Sequence, residues 1–321
     1  MNDPAAKYPL FAIVTPVYNG AAYLAETMDS VQAQTYPNII HFVLDNASTD
    51  ATPEILERYA NARIPVVVKR NPATVSMGVN WNLALELVPP EAPYFRVLCA
   101  DDLMAPEFSA QMVGLAMRHP GVVAVGCELD HRGGELSGGW EPDREVFDGR
   151  EAVGRFLKGD GTIVAHQTIF RRDVLDMRKP FFEVNMTTND TDACLDILRH
   201  GDWGFVHEKL AVTRDHGGTD TNTLVKPLQL DLGEHLVLMK RYAEFGLGSK
   251  EGRRFFACFR RYYLRRLLKW RAAGQTERVA RHLAMLNELG AAPSVLQFLD
   301  AVADWPWTKL ALRPAWSGYP A

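Results

Sequence analysis

Residues 94–106, YFRVLCADDLMAP, constrain this chain more than any other stretch. Apolar and aromatic side chains run straight into two adjacent carboxylates, Asp101 and Asp102, and Pro106 then starts a helix. A short apolar run ending in this way suits a buried parallel strand. The carboxyl ends of such strands line the crevice where open α/β sheets bind ligands. Two carboxylates side by side repel each other unless a cation or a donor sits between them. A hard divalent cation fits, because Mg²⁺ takes one or two carboxylates together with phosphate oxygens. The competing reading is structural: the acids cap the helix after Pro106 or occupy a solvated turn.

The flanking pattern favours a sheet. Residues 10–17 (LFAIVTPV) form an apolar strand, and Tyr18-Asn19-Gly20 supplies its turn before a helix over 23–33. A second strand, 39–44, ends at Asp45, and Asp50 or Thr52 caps the helix that Pro53 begins. A third strand covers 66–69, and a helix over 76–87 carries Val79, Leu83 and Leu87 at helical spacing. After the acidic pair come a helix over 107–118 and a strand over 122–127. This alternation predicts an α/β fold with a mostly parallel twisted sheet and helices on both faces. The Gly-rich, aperiodic stretch 130–148 reads as a loop. Beyond it lie a helix at 151–157, a strand at 162–170, a helix at 190–200 and short strands at 205–206 and 210–213. From about residue 228 the pattern is mainly helical, so we divide the chain into 1–225 and a helical C-terminal region, 226–321.

With 321 residues and 47% hydrophobic content, the chain is long enough for a sizeable core. A formal charge of −4 argues against a surface given over to nucleic acid. The four cysteines have no metal-type spacing and read as free, mostly buried thiols of a cytoplasmic protein in a reducing compartment. Neither a P-loop nor a G-x-G-x-x-G motif occurs, which weakens a dinucleotide-binding reading. Asp45, the 101/102 pair and Asp190 fall where strands end or a helix starts. That pattern suits an anionic ligand held with a metal.

The run from Phe11 through Thr52, FAIVTPVYNGAAYLAETMDSVQAQTYPNIIHFVLDNASTDAT, resembles the opening of the family 2 glycosyltransferases, inverting nucleotide-sugar enzymes of the GT-A fold. The likeness spans roughly residues 10–220 and implies a set of roles. Thr15, Pro16 and Tyr18 would meet the base and ribose of the donor, with Tyr18 stacking on the base. Asp45 would accept from uracil N3–H, which makes UDP the expected nucleotide. Asn71 and Asn80 match the family's Asn-rich segment, although capping and packing explain them equally well; Val79 stands where many members carry Arg. Asp102 would hold Mn²⁺ or Mg²⁺, and Asp101 the ribose, the metal or both. Cys99 replaces the family's first acid and reads as a packed strand residue, since these ions prefer oxygen. Asp190 would be the general base, with Asp192 the runner-up. His216, in Arg214-Asp215-His216, would reach the metal or the diphosphate. His166-Gln167 would face the acceptor or the donor sugar.

The C-terminal stretch 253–271, RRFFACFRRYYLRRLLKWR, carries eight basic residues and no acidic one. As a helix it puts Phe255, Phe259, Tyr263, Leu267 and Trp270 on one stripe, with Arg254, Arg261, Arg265 and Lys269 opposite. Two readings stay open: a helix docked on the catalytic region with a solvated basic face, or peripheral contact with the inner face of a membrane. The expected partners are a nucleotide-sugar donor and a glycan or lipid-linked acceptor, with no nucleic acid. The implied activity is sugar transfer to a hydroxyl in surface polysaccharide or glycan synthesis. A non-catalytic nucleotide-sugar binder of the same fold is the alternative.

Overall fold

The computed structural model describes residues 7–131, 134–136, 139–214, 216–219 and 221–303. The first strands form as the apolar runs require. They are β1 (Phe11–Val17), β2 (Ile39–Asp45), β3 (Val66–Arg70) and β4 (Tyr94–Val97), with α1 (Leu24–Gln32), α2 (Thr52–Glu57) and α3 (Met77–Leu85) between them. Strand β1 is buried along its whole length, as expected of a strand covered on both faces.

The acidic pair lies in the turn between β4 and β5 (Leu103–Met104), ahead of α4 (Phe108–Arg118). Strand β6 (Val122–His131) comes next, then the short strands β7 (Gly134–Leu136) and β8 (Val146–Phe147), so the stretch expected to be a loop contributes to the sheet. The chain continues through α5 (Gly149–Lys158), β9 (Thr168–Arg171), α6 (Val174–Met177), α7 (Asn189–Ile197) and β10 (Asp202–Thr213).

The sheet runs β3-β2-β1-β4-β9-β6-β10-β5, with β7 on β6 and β8 on β10. Strands β1, β2, β3, β4, β6 and β10 point one way, and β9 lies antiparallel between β4 and β6. The fold is therefore the mostly parallel α/β sheet that the alternation implied. Two local expectations change. Residues 162–170 do not form one strand: Ala165–Gln167 is a 3₁₀ turn, closed by the Thr168 hydroxyl donating to the Val164 carbonyl at 2.7 Å. The two short strands near 205 and 210 are one strand, β10, whose polar His207–Lys209 portion sits in a register shift against β6.

The C-terminal helices are α8 (Leu230–Leu247), α9 (Ser249–Ala272), α10 (Thr276–Glu288) and α11 (Val295–Ala303). Helix α8 packs on α5 and α7, and one hydrophobic cluster joins Phe95 and Phe170 of the sheet to Leu236, Tyr263 and Leu286 of these helices. The expected stripe of α9 faces inward: Phe259, Tyr263, Leu267 and Trp270 are buried. Its basic face is not simply solvated. Arg261 pairs with Asp300 of α11 at 2.9 Å, and Arg265 donates to the Ala301 carbonyl at 2.7 Å. All four cysteines are free thiols; Cys127 and Cys194 are buried, whereas Cys258, on α9, is exposed. Among the described residues no helix is long and apolar enough to cross a membrane.

Candidate active site

The crevice is built from three turns, one after each of β1, β2 and β4. The first two are laced together. Asn19 N–H donates to Ser48 Oγ, Gly20 N–H to Thr52 Oγ1 and Ala21 N–H to Asp50, all within 3.0 Å. In return Thr49 N–H donates to Asn19 Oδ1 at 2.9 Å. Ser48 and Asp50 are thus turn residues, and Asp50 Oδ1 also accepts from Thr52 N–H at 3.0 Å; the residue at the N-cap of α2 is Ala51, so neither Asp50 nor Thr52 caps the helix as expected. Gly20 is required here: a Cβ would lie 2.6 Å from a Val17 methyl and 3.6 Å from Ala100 Cβ. The turn after β1 therefore rests against the turn that holds the acids.

Parallel register sets Asp45 opposite Val17 on one side and Arg70 on the other. Asp45 is buried, accepts from Ser48 N–H at 3.0 Å and forms an ion pair with the half-exposed Arg70, which also donates to the Ser48 carbonyl. A carboxylate has about four lone-pair sites, so Asp45 keeps acceptor capacity beyond these two bonds. A cleft of about 420 Å³ opens beside the pair, walled by Leu56, Val66 and Val68. Tyr18 is 52% exposed at the end of β1. Thr15 and Pro16, by contrast, are buried, and the Thr15 hydroxyl meets His41 Nε2 at 2.8 Å. The Asn71 amide donates to both Asn46 Oδ1 and Asn80 Oδ1 at 2.9 Å, and Asn46 bonds both polar backbone atoms of Val75. Asn71 and Asn80 are buried, and these bonds fix the loop after β3.

Asp101 is partly exposed and Asp102 is buried. The Thr27 hydroxyl holds the turn from below through the carbonyls of Ala100 and Asp102, and the Arg214 amide donates to Asp102 Oδ1 at 3.2 Å. One ligand atom from each of Cys99, Asp101 and Asp102 lies within 4.8 Å of the others. His216 Nε2 sits 3.1 Å from Asp101 Oδ2, and its ring stacks on Tyr23 at 4.5 Å. Arg214 passes over Tyr23 to Glu26, which brings the chain after β10 down onto the acidic turn. Asp215 lies outside the described residues. Burial, then the charge of Asp101, pushes the Asp102 carboxyl up to about 7. Burial and the neighbouring acids likewise raise the Cys99 thiol, and Asp190 is among those acids. Two acids crowded together without enough positive charge form a donor set that a hard divalent cation fits.

Asp190 stands in the first turn of α7 and is 18% exposed at its side chain. One of its oxygens accepts from Thr191 N–H at 2.7 Å; the other faces His166 Nδ1 at 3.8 Å. Asp192 is treated differently. It is fully buried and held by Arg178, by Arg241 at 2.8 Å and by the Tyr242 hydroxyl at 2.9 Å, so its oxygens belong to the fold.

Residues 12–178, just over half of the chain, match the model of glycosyl transferase family 2. The chain belongs to that family. The protein is a glycosyltransferase by family. An uncharacterized glycosyltransferase of Rickettsia typhi is 29% identical over 229 residues, covering 69% of each chain. Among solved structures, S. aureus TarS 1–349 in complex with UDP-GlcNAc superposes with a TM-score of 0.67 at 16% identity, covering 92% of this chain and 87% of that one. A mannosyltransferase from Pyrobaculum calidifontis in complex with GDP-Man and Mn²⁺ gives a TM-score of 0.56 at 18% identity, covering 94% and 81%. These likenesses show the GT-A-type fold.

In this glycosyltransferase, the residues that sequence reasoning misses are those that act through others. Arg70 falls just past the strand expected over 66–69, yet it is the last residue of β3 and pairs in register with Asp45. Glu234 of α8 is buried and accepts from Thr187 N–H, Thr187 Oγ1 and Thr188 N–H, all within 2.8 Å, just ahead of α7. Burial pushes its carboxyl up, and these bonds hold it back. A lone glutamate in the apolar run LQLDLGEHLVLM is the signal that could have found it. For Arg96 the signal is an arginine inside a buried strand.

Proposed function

We propose that this glycosyltransferase is inverting and metal-dependent, and moves a sugar from a nucleotide diphosphate, with uridine as base, to a hydroxyl of a glycan or lipid-linked acceptor. The observation that carries the reading is the crowded pair Asp101 and Asp102, with Cys99 and His216 beside it, next to the turn after β1. Asp45 and Tyr18 form the base and ribose end, and Asp190 the acceptor end. The UDP-GlcNAc bound to TarS and the GDP-Man with Mn²⁺ bound to the mannosyltransferase support a nucleotide-sugar donor held with a cation.

Asp102, Asp101 and His216 would hold Mn²⁺ or Mg²⁺. The cation supplies charge neutralisation for the leaving diphosphate. The acceptor oxygen bonds to the anomeric carbon while the bond from that carbon to the β-phosphate oxygen breaks, and the electron pair leaves with the nucleotide diphosphate. Asp190 takes the acceptor proton. Attack from the face opposite the leaving group inverts the configuration. A role in surface polysaccharide synthesis accords with such an acceptor, and the exposed Arg253, Arg254, Lys269 and Arg271 of α9 are the groups that would meet an anionic membrane.

The test is Asp190→Asn, assayed by nucleotide release from UDP-GlcNAc and other nucleotide sugars. Turnover is expected to fall by ~10²–10⁴-fold, the usual contribution of a general base, with UDP affinity unchanged. Unaltered turnover would remove Asp190 from the mechanism.

A further inference from the structure

His166, expected together with Gln167 to face the acceptor or the donor sugar, lies beside Asp190. Its backbone belongs to the 3₁₀ turn Ala165–Gln167, between α5 and β9. The turn is pinned on three sides. Arg96, from β4, donates from Nη2 to the His166 carbonyl at 2.7 Å. The thiol of Cys127, from β6, lies 3.6 Å from the Gln167 carbonyl, and the Thr168 hydroxyl closes the turn on Val164.

Arg96 is the telling member. It is fully buried, lies 4.0 Å over the Phe108 ring, and leaves Nε and Nη1 without a hydrogen-bond partner among the described residues. A buried guanidinium is expensive to desolvate, and here the hydrogen bond it makes among the described residues goes to the carbonyl of His166. What the turn presents is the His166 ring, with Nδ1 3.8 Å from Asp190 Oδ2. The other Asp190 oxygen already accepts from the Thr191 amide, so Oδ2, the oxygen that faces His166, has the larger acceptor capacity left to meet an acceptor hydroxyl.

We infer that His166 is a positioning residue for Asp190, held in place by Arg96. This inference rests on Asp190 being the general base. Nδ1–H occupies one lone pair of Oδ2 and turns the other toward the acceptor. The 3.8 Å separation is wider than a hydrogen bond, and catalytic hydrogen bonds are often long without substrate and tighten when it binds. The same guanidinium lies within electrostatic range of Asp102.

The experiment is a double-mutant cycle with His166→Ala and Asp190→Asn, alone and combined, on the full chain. It reads nucleotide release from whichever of UDP-GlcNAc and GDP-mannose the wild type turns over faster with Mn²⁺. Calorimetry with UDP and Mn²⁺ and the thermal midpoint are read alongside. His166→Ala should lower kcat by roughly 10–100-fold, the scale of a misplaced reacting group, with KM for the donor and UDP affinity unchanged. In the Asp190→Asn background the same change should cost nothing further, because both residues act on one event. His166→Asn, whose amide reaches the place of Nδ1, should recover part of the loss. An equal loss in both backgrounds, a parallel fall in UDP affinity, or no loss at all would overturn the inference. Wild-type turnover by Asp190→Asn would sink the base assignment itself, and this inference with it.

Discussion

The turn after β4 and the first turn of α7 each carry two aspartates, and the molecule handles them in opposite ways. In the turn after β4, Asp101 and Asp102 stand together, and among the described residues their carboxylates meet one backbone amide and one imidazole. In α7, Asp192 is enclosed by two guanidinium groups and a phenol. The acid whose charge is met within the chain belongs to the architecture. The pair whose charge is left over is where, in the function proposed above, a ligand would complete the electrostatics. Asp190, two residues before Asp192 on the same helix, escapes enclosure because it faces the His166 turn and not α8.

The sharpest way to break that contrast is Asp192→Asn. It leaves Arg178 and Arg241 with a neutral amide between them, a loss of about 3–5 kcal/mol for a broken buried ion pair. Urea unfolding should show it, while UDP affinity per folded molecule stays the same. If stability were unchanged, Asp192 would not be the structural acid.

The acidic turn should respond to pH instead. Asp102 keeps its proton in the folded chain up to about pH 7, whereas the unfolded chain releases it near 4. Between those values the folded state binds more protons, so the stability of metal-free protein should fall as pH rises, on the order of 4 kcal/mol in all, and level off above 7. Asp102→Asn should flatten that slope, and Mn²⁺ should reduce it. An identical slope in the variant would assign it to other groups.

The smallest effect belongs to Glu234, whose charge secures the segment entering α7. Glu234→Gln should cost about 1–3 kcal/mol in unfolding, the scale of hydrogen bonds to a charged group. Because α7 stays seated by Asp192, turnover should fall less than about tenfold, well below the loss in Asp190→Asn. A larger loss would mean that α8 sets the base more directly than its hydrogen bonds indicate.

The strands and the acidic turn were legible because buried parallel strands need continuous apolar runs, and a pair of acids at the end of one stands out. Asp45, Asp101, Asp102 and Asp190 could be named from their places at strand and helix ends. What the sequence hid were partners brought in from far away: Arg70 on Asp45, Glu234 before α7, Arg178 and Arg241 on Asp192, and Arg96 under His166. Long-range pairing leaves no local period to read. The 3₁₀ turn at Ala165–Gln167 was hidden for a related reason, since tertiary hydrogen bonds override the β preference of its neighbours. The basic face of α9 looked solvated because the acid that meets it, Asp300, lies a full helix away.

The most direct measurement is calorimetric titration of Mn²⁺ into the protein with and without UDP, in the wild type and in Asp102→Asn. The account predicts that cation and nucleotide each tighten the other's binding in the wild type, by the same factor in both directions, and that the variant loses this coupling. UDP binding equally well with and without Mn²⁺, or undiminished coupling in the variant, would contradict it.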